Sequence, residues 1–222
     1  DGTAIGKHVK VKPNVKVWPY KELADFTTLN QSLVWETEWN RTLFGNQGVI
    51  GISNIEVTPD FVAKLGTAYG AMLDNQAVIT VSSDTYNMSQ MLKHSLAAGL
   101  MSAGVIVKDI GELPGPVARH SVRRLEAEGG IHLRACQRDP QNTVLEFLNQ
   151  DGINLSRNEE KKIEKIFFRE DFQRANLEAV GEIDYIPQMI DSYVNRLLRG
   201  VDVGLIKEAK YRIVANYEQD NL

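Results

Sequence analysis

The chain has 222 residues, a formal net charge of −4 and a hydrophobic content of 43%, so it is large enough to bury a sizeable core. Lysines, arginines and acids are interspersed, which excludes the basic field that nucleic acid or an anionic membrane would bind. The single cysteine rules out an internal disulfide, and the four scattered histidines lack zinc-site spacing. No apolar run of membrane-spanning length and no signal-like leader is evident, so we expect a cytoplasmic protein that binds small molecules or proteins.

A six-residue period marks the start of the chain. Apolar residues recur at Ile5, Val11, Val17, Leu23, Leu29 and Trp35. This period is typical of the hexapeptide repeats of a left-handed β-helix, in which each repeat buries its apolar residue inward. We therefore predict terminal β-helix coils over residues 1–36, with an irregular strand-rich arm as the alternative. Because a few coils cannot form a stable solenoid alone, we expect this arm to be the end of a longer β-helix in a longer protein.

From residue 43 onward, predicted strands and helices alternate. Thr58-Pro59-Asp60 has the capping residue, proline and acid of a helix start, and Ser156 with Glu159 forms a predicted capping box. Strands are predicted at 77–82, 105–110, 131–135 and 144–148, and helices after Pro59, at 89–103, at 116–127 and from 156 to 168. Such βαβ units predict a three-layer α/β/α domain over residues 43–180, with three parallel strands and an antiparallel one at 144–148.

The last forty residues read as the start of a second α/β domain over residues 184–222. A helix is predicted from Ile186 to Gly200, and Tyr211 to Tyr217 has the pattern of a buried strand.

The stretch Gly129 to Pro140, with the sequence G-G-I-H-L-R-A-C-Q-R-D-P, reads as a glycine turn, a short strand and a polar loop closed by proline. In open α/β sheets, ligands bind at the carboxyl ends of strands, which is where this loop lies. Its Cys136 has two interpretations: a nucleophilic thiol, or a small buried side chain, which is the commoner role of a lone cysteine.

This loop resembles the active-serine loop of the α-D-phosphohexomutases, the phosphoglucomutases and phosphomannomutases, which reads T-A-S-H-N-P. Aligned without gaps, Cys136 replaces the phosphorylated serine and Arg134 replaces the threonine. Residues 44–51 resemble the family's F-G-T-x-G-x-R-G, residues 82–86 its G-R-D-T-R and residues 113–116 its V-P-T-P. The resemblance implies a catalytic position at Cys136 and substrate binding by Asp84, which the family's motif retains. We also predict substrate binding by Arg134 and Arg138, whose positive charge can contact a phosphate at positions that the family does not use. The resemblance implies no cofactor in this segment, and Mg²⁺ only where the metal loop D-G-D-x-D-R follows downstream.

Catalysis of phosphoryl transfer depends mostly on positioning and on positive charge around the phosphoryl oxygens. At the aligned positions the family's arginines are Ile50, Ser83 and Tyr86, and its lysine is Glu146. The resemblance therefore implies a mutase-like domain that is inactive and serves assembly, regulation or sugar-phosphate sensing. The alternative is a divergent active mutase that uses Cys136 as phosphoryl acceptor.

The β-helix arm followed by this domain is similar to fused mannose-1-phosphate guanylyltransferase proteins. This similarity implies a nucleotidyltransferase parent and subunit contacts through the arm. We expect a homo-oligomer on that basis.

Overall fold

The computed structural model describes residues 3–11, 13, 22–23, 28–29, 42–170, 172 and 174–214. The chain forms two compact units, Asp1–Asn40 and Arg41–Leu222. The division into residues 1–36, 43–180 and 184–222 stays a prediction.

Among its described residues, the first unit contains four two-residue strands: β1 (Ala4–Ile5), β2 (Lys10–Val11), β3 (Glu22–Leu23) and β4 (Thr28–Leu29). β1 pairs in parallel with β3, and β2 pairs in parallel with β4. The side chains of Ile5 and Val11 are 62% and 45% exposed, so their predicted inward burial is wrong. The strands of this unit among the described residues form only two-stranded pairings, which do not cover these two side chains. Val17 and Trp35 lie outside the described residues, and these strands alone do not establish a left-handed β-helix.

The second unit is built on a seven-stranded mixed sheet. Its strands are β5 (Phe44–Gly45), β6 (Gly48–Ile52), β7 (Val78–Ser83), β8 (Ile106–Glu112), β9 (Gly129–Ala135), β10 (Asn142–Asn149) and β11 (Ile183–Tyr185). Their spatial order is β11-β8-β7-β9-β10-β6-β5. β7, β8, β9 and β11 are parallel, whereas β10 is antiparallel to both β9 and β6. The predicted parallel trio and the antiparallel strand are confirmed, and β11 adds a fourth parallel strand at the edge.

Helices cover both faces of this sheet. They are α1 (Pro59–Gly70), α2 (Asn87–Ser102), α3 (Gly115–Arg124), α4 (Arg157–Arg169), α5 (Met189–Leu198) and α6 (Val203–Glu208). The crossover through α2 runs from β7 to β8, and the crossover through α3 returns across β7 to β9. Right-handed crossovers in opposite directions place α2 and α3 on opposite faces. α1 packs on α2 and α4, and α5 packs on α3, which completes the three layers.

Local capping signals in the sequence are confirmed at two helix starts. Thr58 Oγ1 accepts a hydrogen bond from the backbone N–H of Phe61 at 3.4 Å. Ser156 and Glu159 form the predicted capping box of α4. Both signals act within one turn of helix, so the fold does not alter them.

The predicted glycine turn at Gly129 and Gly130 is wrong, because both residues lie inside β9. A Cβ atom at Gly129 would stand 2.5 Å from the Tyr69 hydroxyl, and one at Gly130 would stand 2.4 Å from Thr80 Oγ1. These glycines are therefore required by close packing. The left-handed residue between α3 and β9 is Glu126, with φ 51°.

The predicted buried strand at 211–217 is also wrong over its described part. Residues 211–214 form no strand, and Tyr211 and Val214 are 75% and 95% exposed. β11 already occupies the sheet edge beside β8, so this segment has no strand partner there. None of the helices in the described part of the chain is long and apolar enough to cross a membrane.

Candidate functional site

The carboxyl ends of β7, β8 and β9 meet at one edge of the sheet. The chain leaves β7 toward β8 on one side, and it leaves β8 toward β9 on the other. Ligands of open α/β sheets bind at such topological switch points. A cavity of about 160 Å³ lies there, lined by Asp84, Leu113, Pro114, Gly115, Pro116, His132, Arg134, Ala135 and Gln137.

Asp84 joins the loop after β7 to the end of β9. Its Oδ2 accepts a hydrogen bond from the backbone N–H of Ala135 at 2.6 Å, and its Oδ1 accepts one from Tyr86 at 3.1 Å. Its own backbone N–H donates to the carbonyl of Leu133 at 2.9 Å. Asp84 is buried, so these contacts place a negative charge in the cavity wall and order the loop.

Arg134 is held by Glu146 of β10. Its Nε and Nη2 both donate to Glu146 Oε1, at 2.9 and 2.7 Å. Glu146 Oε2 accepts a further hydrogen bond from Arg119 Nη2 of α3 at 3.0 Å. Glu146 thus bridges two arginines, and its charge offsets part of the positive charge that Arg134 brings to the cavity.

His132 lies in β9 two residues before Arg134, on the same face of the sheet, and is almost fully buried. Its Nδ1 and Ser82 Oγ are 3.0 Å apart, within hydrogen-bond distance. Burial lowers the pKa of His132 to about 4, although the nearby Glu146 and Asp84 act in the opposite direction. At neutral pH the ring is therefore uncharged and contributes no cation to the cavity. Sequence reasoning missed this residue, and its place inside a predicted buried strand was the available signal.

Cys136 follows the end of β9 and is buried, with 8% of its surface exposed. Its backbone N–H donates to the carbonyl of Asn142 at 2.8 Å, and Asn142 Nδ2 donates to Asp139 Oδ2 at 2.8 Å. These bonds close residues 136–142 into a compact turn. Arg138 lies on the exposed part of this turn. Of the predicted site residues, the cavity brings together Asp84 and Arg134, whereas Cys136 and Arg138 are not among the residues that line it.

The aligned positions where the family has arginine hold no cation. Ile50 and Tyr86 are 39% and 42% exposed, and Ser83 is fully buried. Among the described residues, Ser83 Oγ is the one buried side-chain polar atom without a hydrogen-bond partner. In that part of the chain no group of three His, Cys, Asp or Glu side chains is arranged to hold a metal ion. The roles proposed for Cys136, Arg134, Arg138 and Asp84 stay predictions.

The domain is a three-layer α/β/α fold with a mixed sheet and a cavity at the carboxyl ends of its parallel strands, which places it in the class of open-sheet α/β proteins. Residues 41–174 match the family model described as phosphoglucomutase/phosphomannomutase, alpha/beta/alpha domain I. The chain belongs to this family.

Relatives agree with that assignment, and a solved structure shares the fold. The phosphoglucomutase/phosphomannomutase of Thermococcus kodakarensis is 34% identical over 178 residues, which is 78% of this chain and 39% of that protein. The phosphoglucosamine/phosphogalactosamine mutase of Sulfurisphaera tokodaii is 34% identical over 78% of this chain and 38% of its own length. A phosphoglucomutase/phosphomannomutase family protein of Burkholderia thailandensis, 19% identical, superposes with a TM-score of 0.63 over 73% of this chain and 36% of its own. The chain thus spans well under half the length of these proteins.

Proposed function

We propose that this phosphohexomutase-family domain does not carry a phosphoryl group at residue 136 and serves its parent protein in assembly, regulation or sugar-phosphate sensing. The observation that carries the proposal is the pairing of Arg134 with Glu146. A phosphoryl site needs cations that are free to contact the transferring oxygens, whereas Arg134 is held by an internal carboxylate that offsets part of its charge. The neutral His132 and the carboxylate of Asp84 add no positive charge.

The test is a mutase assay on the full-length parent protein with magnesium, a hexose 1-phosphate and a hexose 1,6-bisphosphate primer. We expect no measurable turnover, because each lost transition-state cation costs a factor of about 10² to 10³. The Thermococcus kodakarensis relative, assayed in parallel, is the positive control for the reagents.

A Cys136→Ser variant separates the missing hydroxyl from the missing cations. This variant should also be inactive, because Glu146 remains and the positions where the family has arginine still hold Ile50, Ser83 and Tyr86. Turnover that depends on Cys136, or phosphate found on Cys136 by mass spectrometry, would overturn the proposal.

That outcome would favour the second candidate function, a divergent active phosphomannomutase or phosphoglucomutase with Cys136 as acceptor. The mutase names of relatives at 34% identity support it. A thiolate is a competent nucleophile: attack of Cys136 Sγ on phosphorus would form a P–S bond and break the P–O bond to the sugar, whose oxygen would take up a proton. Attack of a sugar hydroxyl on the phosphorus would then form a new P–O bond, release the hydroxyl proton and restore the thiolate.

We further propose that the parent protein, a cytoplasmic enzyme, carries a nucleotidyltransferase and a left-handed β-helix before this domain. The pairing of Ile5 with Leu23 and of Val11 with Leu29 supports the β-helix. Partners separated by three six-residue repeats are expected when three hexapeptides complete one coil.

Removal of residues 1–36 should weaken self-association of the chain. Ile5 and Val11 expose apolar surface on short strands, which a second subunit can cover. Sedimentation of the two forms at equal concentration measures the effect, and the shortened form should shift toward the monomer mass. An unchanged mass distribution would argue against the arm as an assembly element.

A further inference from the structure

A second cavity, separate from the cavity at Arg134, lies at the carboxyl ends of β8 and β11. Its volume is about 460 Å³, within the range of small-molecule sites. Its wall includes Lys93 and His94 of α2, Asp109 and Glu112 of β8, and Tyr185 of β11. None of the residues that line it also lines the cavity at Arg134.

A buried ion pair forms the polar floor of this cavity. Lys93 Nζ and Asp109 Oδ1 are 2.8 Å apart, and their side chains are only 8% and 4% exposed. Asp109 Oδ1 also accepts the backbone N–H of Gly111 at 2.8 Å, which fixes the carboxylate in place. Two ionised groups held this deep in a wall are costly to desolvate, so their remaining hydrogen-bonding capacity matters.

The pair is only partly satisfied by the protein. An ammonium has three N–H donors, and within the described residues the hydrogen bond of Lys93 Nζ goes to Asp109 alone. Asp109 Oδ2 accepts no hydrogen bond from these residues. Among the described residues, Ser83 Oγ is the one fully buried side-chain polar atom without a partner, so Asp109 Oδ2 is not fully buried. Oδ2 therefore retains solvent access without a hydrogen-bond partner among the described residues, so the pair offers donors and an acceptor side by side.

The backbone keeps this floor open. Gly111 has φ +82°, and a Cβ atom built on it would meet no atom within 4 Å. Tyr185 stands at the wall with 69% of its surface exposed, so one ring face is available for stacking.

The charges select the kind of ligand. The described lining carries one ammonium, two carboxylates and one imidazole, so its net charge is not positive at neutral pH. At the floor the charges of Lys93 and Asp109 offset each other, and water screens the exposed Glu112, so a charged ligand group would lose its hydration there without a net opposite charge to replace it. A hydroxyl group can donate to Asp109 Oδ2 and accept from Lys93 in the same place.

We propose that this cavity binds an uncharged polyhydroxylated small molecule, such as a hexose, through the Lys93–Asp109 pair, with its apolar face on Tyr185. The proposal does not depend on whether the cavity at Arg134 supports phosphoryl transfer.

The test is an ¹⁵N–¹H NMR titration of the chain with D-glucose and D-mannose, and separately with inorganic phosphate. We expect saturable shifts of the Gly111 and Tyr185 amides with the hexoses and none with phosphate. Absence of saturable hexose shifts at these amides, or tighter binding of phosphate there, would overturn the proposal.

Two variants and a matched control locate the contacts. Tyr185→Ala should weaken hexose binding about fivefold through loss of stacking. Tyr211→Ala replaces a tyrosine of similar exposure outside the cavity lining and should leave hexose binding unchanged. The double variant Lys93→Met with Asp109→Leu avoids an unpaired buried charge and so keeps the fold, and it should weaken binding at least about tenfold. Hexose binding that persists in the folded double variant would show that the ion pair is not the site.

Discussion

Asp109→Asn should lower the free energy of unfolding by about 3 kcal/mol, the smaller end of the cost of breaking a buried ion pair by removing one partner. The substitution keeps the shape of the side chain and its acceptor for Gly111, so it removes only the charge opposite Lys93. Lys93 then remains buried without a counter-ion. Urea denaturation at pH 7, monitored by far-ultraviolet circular dichroism, measures the change.

An exposed ion pair supplies the matched control. Lys64 Nζ and Glu170 Oε1 are 2.6 Å apart, closer than the buried pair, but their side chains are 32% and 69% exposed. Glu170→Gln removes the same kind of charge and should leave stability nearly unchanged, because water screens this pair. The Lys93→Met, Asp109→Leu double variant should be far more stable than Asp109→Asn. Equal losses for Asp109→Asn and Glu170→Gln would mean that burial does not set the value of these pairs.

The sequence predicted the features that depend on neighbouring residues. The caps at Thr58 and Ser156 act within a single helical turn, and apolar runs with short connections identified β7, β8, β9 and β10. The antiparallel pairing of β10 with β9 followed from the short loop between them. In each case the decisive interaction spans only a few positions along the chain.

The contacts of the candidate site depend on the register between β9 and β10, which cannot be read from composition. Charge counting treated Arg134 as a free cation and Glu146 as a free anion, yet the two side chains bind each other. In the β9–β10 hairpin Glu146 stands opposite His132. Arg134 lies two residues further along β9, on the same face of the sheet, and is therefore a diagonal neighbour of Glu146. A predicted hairpin register would have brought the two together. The Lys93–Asp109 pair and the addition of β11 to the sheet edge join separate elements, so only the folded chain reveals them.

His132 should make stability depend on pH on the acidic side of neutrality. Burial lowers its pKa to about 4 in the folded chain, whereas an unfolded histidine has a pKa of about 6.5. Between these two values the unfolded chain binds a proton that the folded chain does not. Stability should therefore fall as the pH drops from about 6.5 to about 4, by about 3 kcal/mol in all from this group. Above pH 6.5 both states are neutral at this position, and below pH 4 both are protonated.

Urea denaturation of the wild type and of His132→Gln across this pH range isolates the contribution. The amide of Gln keeps a hydrogen-bonding group near Ser82 Oγ but does not titrate, so the variant should lose about 3 kcal/mol less than the wild type between pH 7 and pH 4. His94→Gln, which makes the same replacement at an exposed position, is the matched control and should follow the wild-type profile. Parallel profiles for the wild type and His132→Gln would show that His132 takes up a proton as readily in the folded chain as in the unfolded chain, and the cavity at Arg134 would then gain a cation only as the pH falls below about 6.5.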